Sequence, residues 1–218
     1  MTTKNLLTSL LVLLAVAVVS CQKEPSTSGL NEDYLVYTDY DRKADFSDLK
    51  AFYLPDSILV IGDAGKTEYW KDADAQRIIG TVADLMESRN FVRTDDKEAA
   101  QAGLQLSYVQ RVTYYVGYDD PYWWWYYPYY WTPGYWGDWF GWYYPYQVYY
   151  GYTAGSMLIE MINLTAAQGK DQKLPVVWDS FIGGLLTSSR EVNMQRTVDA
   201  VKQAFAQSPY LVNNSVNR

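Results

Sequence analysis

Between Tyr114 and Tyr152 the chain runs through 39 residues of which 23 are aromatic. The stretch contains Pro121, Pro128, Pro133 and Pro145, and Gly117, Gly134, Gly137, Gly141 and Gly151. Proline lacks the amide proton that a helix interior or a paired strand needs, and glycine weakens both elements through backbone entropy. Neither a long helix nor a central strand is compatible with that spacing. The segment therefore reads as an elaborated loop, about residues 117–152, inserted between two strands that pair with each other. Hairpin loops ordinarily run about 2–5 residues, and much longer ones are usually functional or disordered.

The flanking sequence has clear periodicity. Gly103 to Val116 alternates, with Leu104, Leu106, Tyr108, Val112, Tyr114 and Val116 on one side and Gln105, Ser107, Arg111 and Thr113 on the other. Leu49–Leu54 and Ser57–Ile61 read as strands punctuated by Pro55-Asp56, and Phe91-Val92 as the start of a short edge strand. Ser156–Thr165 and Pro175–Phe181 read as two further strands joined by a turn at Gly169-Lys170-Asp171. Glu160, in the middle of the first of these, is expected to point to solvent. Two segments have helical spacing. Asp72–Arg89 aligns Ile78, Ile79, Val82, Leu85 and Met86, and Glu191–Gln207 aligns Met194, Val198, Val201 and Phe205. The order predicts an α+β two-layer sandwich, a mainly antiparallel sheet with two helices on one face and the long aromatic loop as an insertion. One domain over residues 34–218 accommodates all of it.

Composition narrows the chemistry. The chain has no histidine, so it has no His general base, no Ser-His triad and no His-ligated metal. A single cysteine excludes an internal disulfide and a thiolate cluster. A net charge of −7 and a pI near 4.6 argue against a nucleic-acid partner, which requires clustered Lys and Arg. Asp39, Asp41, Asp45 and Asp48 lack the glycine and the bidentate glutamate of a calcium loop, and read as solvated turns or helix caps. Asp119-Asp120 is a carboxylate pair among sugar-stacking rings, the one feature pointing toward a hydrolase. Adjacent loop residues do not flank a scissile bond from opposite sides, and turn polarity before Pro121 accounts for them better. No cofactor, no metal site and no catalytic constellation is expected.

The N-terminus reads as an address. Lys4 precedes an apolar run, Leu6 to Val19, that is shorter than the roughly 20 residues of a bilayer span but suits a signal peptide. Val18-Val19-Ser20-Cys21 resembles a bacterial lipobox. That resemblance implies cleavage after residue 20, diacylglycerol on the Cys21 sulfur and an acyl chain such as palmitate on its new amino group. Several acyl chains anchor stably where one is marginal. Gln22 after Cys21 is not the aspartate that would resemble an inner-membrane retention signal, which points to the outer membrane, on its periplasmic face or at the cell surface. Gln22-Lys23-Glu24 also resembles the charged export tags of surface lipoproteins in Bacteroidota. Residues 21–33 then form the lipidated start and a flexible tether.

Four readings of the aromatic insertion remain open. It folds over one face of the sheet as a second small core; or it offers a surface to a glycan, peptide or envelope-protein partner, since rigid rings give contact area at low entropic cost; or it contacts the membrane interface; or it self-associates as a tyrosine-rich tract. The candidate binding residues are Trp123, Trp124, Trp125, Trp131, Trp136, Trp139 and Trp142. With only Asp119, Asp120 and Asp138 charged, the stretch lacks the positive groove that base stacking normally accompanies. Asp56-Ser57-Ile58 resembles a Bacteroidota O-glycosylation sequon.

The order of several short motifs resembles a bacterial lipoprotein family, that of domain of unknown function 4136, over about residues 34–210. The carriers are Tyr40-Asp41, Asp45-Phe46-Ser47-Asp48-Leu49-Lys50, Phe52-Tyr53-Leu54-Pro55, Arg89-Asn90-Phe91 and Ala102-Gly103-Leu104-Gln105-Leu106. They continue with Gly155-Ser156-Met157-Leu158-Ile159-Glu160, Val176-Val177-Trp178 and a last helix ending before Ser208-Pro209. Ala102-Gly103 departs from the family's Ala-Asp. Asp179-Ser180 departs from its basic-then-small pair after the tryptophan. Both departures are expected to affect local turns only. The resemblance implies an architecture and an envelope location but no activity. The expectation is a non-enzymatic outer-membrane lipoprotein with a binding or interaction role, or else a structural envelope protein whose aromatic loop packs on its own domain or on sister copies.

Overall fold

The computed structural model describes residues 34–61, 68–110, 142–146, 154–166 and 174–215. The lipidation candidate Cys21, the signal segment and the turn at 169–171 lie outside the described residues. The strands are β1 (Leu35–Tyr40), β2 (Ala51–Tyr53), β3 (Ile58–Ile61), β4 (Glu68–Trp70), β5 (Val92–Arg93), β6 (Ala102–Val109), β7 (Trp142–Tyr143), β8 (Ser156–Asn163) and β9 (Leu174–Gly183). The helices are α1 (Ala73–Glu87) and α2 (Arg190–Gln207), and a short 3-10 turn spans Phe46–Asp48.

The sheet is open and mixed, in the order β1-β9-β8-β6-β2-β5. Its long central ladders, β1 on β9, β9 on β8 and β8 on β6, are all antiparallel. β2 and β3 both run parallel to β6, one beyond the other, pairing at Ala102-Gly103 and at Ser107–Val109. Pro55 and Asp56 separate them, as the sequence indicates. β6 and β8 pair over eight positions, so the aromatic insertion does join two partnered strands. The fold is the expected α+β sandwich. β1 and β4 were not legible as strands, because both are edge segments with little apolar alternation.

Both helices pack on one face. α1 buries Ala75, Ile78, Ile79, Val82, Ala83 and Met86, and α2 buries Met194, Val198, Val201 and Phe205. They cover Leu104, Leu106, Met157, Ile159, Met161, Trp178 and Ile182 of the sheet. The helix starts follow from their caps. The Asp72 carboxylate accepts from the amides of Asp74 and Ala75, and Ser189 accepts from Val192. α1 ends through Asn90, whose φ of 67° is a left-handed conformation that asparagine tolerates. Asp45 caps the 3-10 turn by accepting from Ser47, as the capping reading required. Ser57 of the glycosylation-like sequon is only 4% exposed in the folded domain.

Candidate functional site

The face of the sheet away from the helices holds an unusual row. Register places Gln105 of β6 opposite Glu160 of β8, Glu160 opposite Asp179 of β9, and Asp179 opposite Asp39 of β1. Strand alternation puts all four on the same face. Glu160 and Asp179 are fully buried, and Gln105 is nearly so. Their face neighbours Leu158, Ile162 and Phe181 are buried as well, apart from the core that the helices cover. Three carboxylates in one cross-strand row are costly, since like charges repel and burial strips their hydration.

The end of the aromatic insertion supplies hydrogen-bond partners. β7 pairs in parallel with β9 at Trp142–Leu174 and Tyr143–Pro175. Beyond it exposure alternates, with Tyr143 and Pro145 outward, Tyr144 buried and Tyr146 partly buried. The Tyr144 hydroxyl donates to Oε1 of Glu160. The Tyr146 hydroxyl donates to Oδ1 of Asp179 at 2.7 Å. Their rings meet edge to face, with centroids 5.7 Å apart. Asp39 is served from its own strand and the turn after it. It accepts from the Tyr37 hydroxyl at 3.2 Å, from the Tyr40 amide at 2.8 Å and from Arg42 at 3.3 Å. Burial, and then the negative charge of Asp179, Asp39 and Glu160, hold the Tyr146 phenol well above the ordinary tyrosine range. It is a proton donor that stays neutral.

Chemically the arrangement is a latch: phenols donating into carboxylates inside a largely buried face. Among the described residues no group of three or more Asp, Glu or Cys could hold a metal ion.

Three expectations need correction. Glu160 does not point to solvent. It is fully buried, because Leu158 and Ile162 flank it on a face that is itself covered. Asp179-Ser180 is not part of a turn but lies within β9, and Ala102-Gly103 opens β6. Asp39 is not a solvated turn residue, since it belongs to β1 and completes the acidic row. Of the candidate binding residues, Trp142 lies in β7, and Trp123, Trp124, Trp125, Trp131, Trp136 and Trp139 lie outside the described residues, as does Asp119-Asp120. Sequence reasoning missed Tyr144, Tyr146, Glu160 and Asp179 as a unit. The available signal was β8 itself, where apolar residues on both faces mean that both faces are covered.

Comparison with known proteins bears on the fold and family. The profile of the domain of unknown function DUF4136 matches residues 36–210. A solved DUF4136 family protein from Bacteroides thetaiotaomicron VPI-5482 is 47% identical, covering 84% of this chain and 100% of its own, with a TM-score of 0.75. More distant are a dodecameric PelC variant from Paraburkholderia phytofirmans and a PDZ domain protein from Parabacteroides distasonis ATCC 8503. The first is 11% identical, with a TM-score of 0.31 and coverage of 77% and 96%; the second is 13% identical, with a TM-score of 0.37 and coverage of 85% and 38%. No curated protein matches. With its acid row set in the central strands and its profile match running from β1 to the end of α2, the chain belongs to the DUF4136 family.

Proposed function

We propose that this DUF4136 domain is a non-catalytic outer-membrane lipoprotein, held by acyl chains at Cys21, whose sheet roots the aromatic insertion as a binding surface for a glycan, a peptide or another envelope protein. One observation carries the reading. A late stretch of the insertion, at residues 144–146, is fastened to the sheet through Tyr144–Glu160 and Tyr146–Asp179. A long loop with a fixed end has less conformational entropy to lose when it binds, so its rings gain more per contact. The buried Tyr144 favours a second reading, in which the insertion mainly completes the domain's own second core.

Deleting residues 118–141 while keeping 142–146 separates the two. Under the binding reading the shortened protein unfolds as cooperatively as the parent but no longer retains glycans or envelope proteins in a pull-down. Loss of the cooperative transition would favour the core reading instead. The anchor is tested separately. Cys21→Ala moves the protein out of the membrane fraction, and mass spectrometry of the native N-terminal peptide shows an acylated Cys21. An unmodified thiol there would overturn the lipoprotein assignment.

A further inference from the structure

A concavity lies on the helix side of the sheet, where α1 and α2 both begin. It is a half-open cavity of about 240 Å³. Its apolar wall is Trp70, Tyr108, Met157, Leu185, Leu186 and Met194. Trp70 and Tyr108 form an aromatic corner, with centroids 5.6 Å apart and planes at 59°. Thioether and leucine side chains complete a surface suited to a flat or compact apolar group.

Much of the polar rim is engaged by internal partners, and its two carboxylates outnumber its one guanidinium. Arg190 donates to Asp74 at 2.6 Å and to Asp72 at 3.0 Å, so its charge is spent on two carboxylates. Asp72 also accepts from the Trp70 indole at 2.6 Å and from two backbone amides. The Asn193 side chain is engaged with Thr187, and the Thr197 hydroxyl donates to the Asn193 carbonyl. Among the neutral lining groups Tyr108 keeps its hydrogen-bonding capacity open, for its hydroxyl makes no hydrogen bond among the described residues. A charged ligand would have to be desolvated beside charges that are already paired, whereas a neutral one gives up far less hydration and recovers it in one hydrogen bond.

We propose that this cavity is a binding site for a small uncharged molecule with an aromatic or branched apolar body and one hydroxyl, carbonyl or amide group, which Tyr108 meets. None of the described lining residues belongs to the aromatic insertion, and the test below reports on the cavity independently of the reading above.

The test uses four probes of nearly one size: benzyl alcohol, toluene, benzoate and benzylammonium. Methionine-methyl NMR of the full chain reports directly. Met157 and Met194 line the cavity, while Met86 and Met161 are buried elsewhere in the core and serve as internal controls. Benzyl alcohol should shift Met157 and Met194 saturably and leave the controls in place. Toluene should bind several-fold more weakly, for want of one hydrogen bond, and the two ions at least about tenfold more weakly. Tyr108→Phe should reduce benzyl alcohol to the level of toluene. Leu186→Trp, at a half-exposed rim position, should block all four probes and decides the matter if the Tyr108 variant does not fold. The proposal is overturned by the absence of a saturable shift, by equal shifts at the controls, by an ion binding as well as the alcohol, or by a Tyr108→Phe variant that keeps the preference.

Discussion

Tyr146 donates its phenolic proton to Asp179 at 2.7 Å, from a position 33 residues earlier in the chain, and so ties the late part of the aromatic insertion to β9, an inner strand of the sheet. Its neighbour Tyr144 does the same for Glu160 on the adjacent strand. Removing either hydroxyl leaves a carboxylate on a covered face short of a donor. Tyr144→Phe and Tyr146→Phe should each lower unfolding stability by about 1–3 kcal/mol in urea titrations. The two rings touch and their acceptors are register partners, so the double variant should depart from additivity by at least about 0.5 kcal/mol. Strict additivity would mean that the two contacts do not act as one latch.

A pH dependence follows from the same phenol. Burial raises Tyr146 strongly, and it raises Tyr108 and Tyr210 as well. A phenol is neutral when protonated, so a raised folded value means that the native state keeps a proton the unfolded chain has lost. Above about pH 10, the ordinary tyrosine value, the unfolded state binds fewer protons and stability falls as pH rises. Below that value the contribution is fully present. The urea midpoint should therefore hold steady up to about pH 10 and drop beyond it, and Tyr146→Phe should make the drop shallower. An alkaline limb identical in the two proteins would show that Tyr146 does not carry the effect.

How legible this was in the sequence depended on the range of the interaction. Helix faces were readable because Ile78, Val82 and Met86, or Met194, Val198 and Val201, report their own periodicity. Asp45 was readable as a cap because its partner is two residues away. The acidic row was not, because each member looks ordinary within its own strand. Glu160 resembles a solvent-facing residue until β6 and β9 are laid beside it, and Asp179 resembles a turn until β1 is. Nor could composition single out Tyr144 and Tyr146 among 22 tyrosines, since only the β7–β9 pairing lowers them onto the sheet.

The two helices are joined at their far ends by a similarly long-range contact. Arg89, just past α1, donates to the carbonyl of Phe205 at 2.6 Å and to those of Ser208 and Leu211 at 3.3 Å. α2 has no basic residue in its own last turn, so this guanidinium supplies both the capping donors and the charge that its C-terminal dipole favours. It also lies 5.4 Å from the centre of the Phe205 ring. Arg89→Met should cost about 2–3 kcal/mol of stability, and Arg89→Lys should recover only part of it, because an ammonium cannot reach three carbonyls in the same plane. Thermal melts of the two variants check this, and a lysine variant as stable as the parent would rule out the fork geometry as the cause.

Gly155 begins the run into β8 with φ at +76°, its amide donating to the Val109 carbonyl at 2.7 Å. A Cβ at this position would run into Cγ and Cδ1 of the Leu186 side chain. Gly155→Ala therefore carries two penalties: a left-handed backbone, worth about 1–2 kcal/mol for a residue with a Cβ, and a steric conflict. Leu186 is half-exposed, so it can swing outward and relieve only part of the second, at the loss of its own packing. The backbone term cannot be relieved that way. Gly155→Ala should thus destabilise by more than the about 1–2 kcal/mol of the backbone term alone. Adding Leu186→Ala should remove the clash while leaving the backbone cost in place, so that the double variant is less destabilised than the two single effects added together. If the double variant instead shows the full sum in urea unfolding, Leu186 does not sit over Gly155 as the geometry requires.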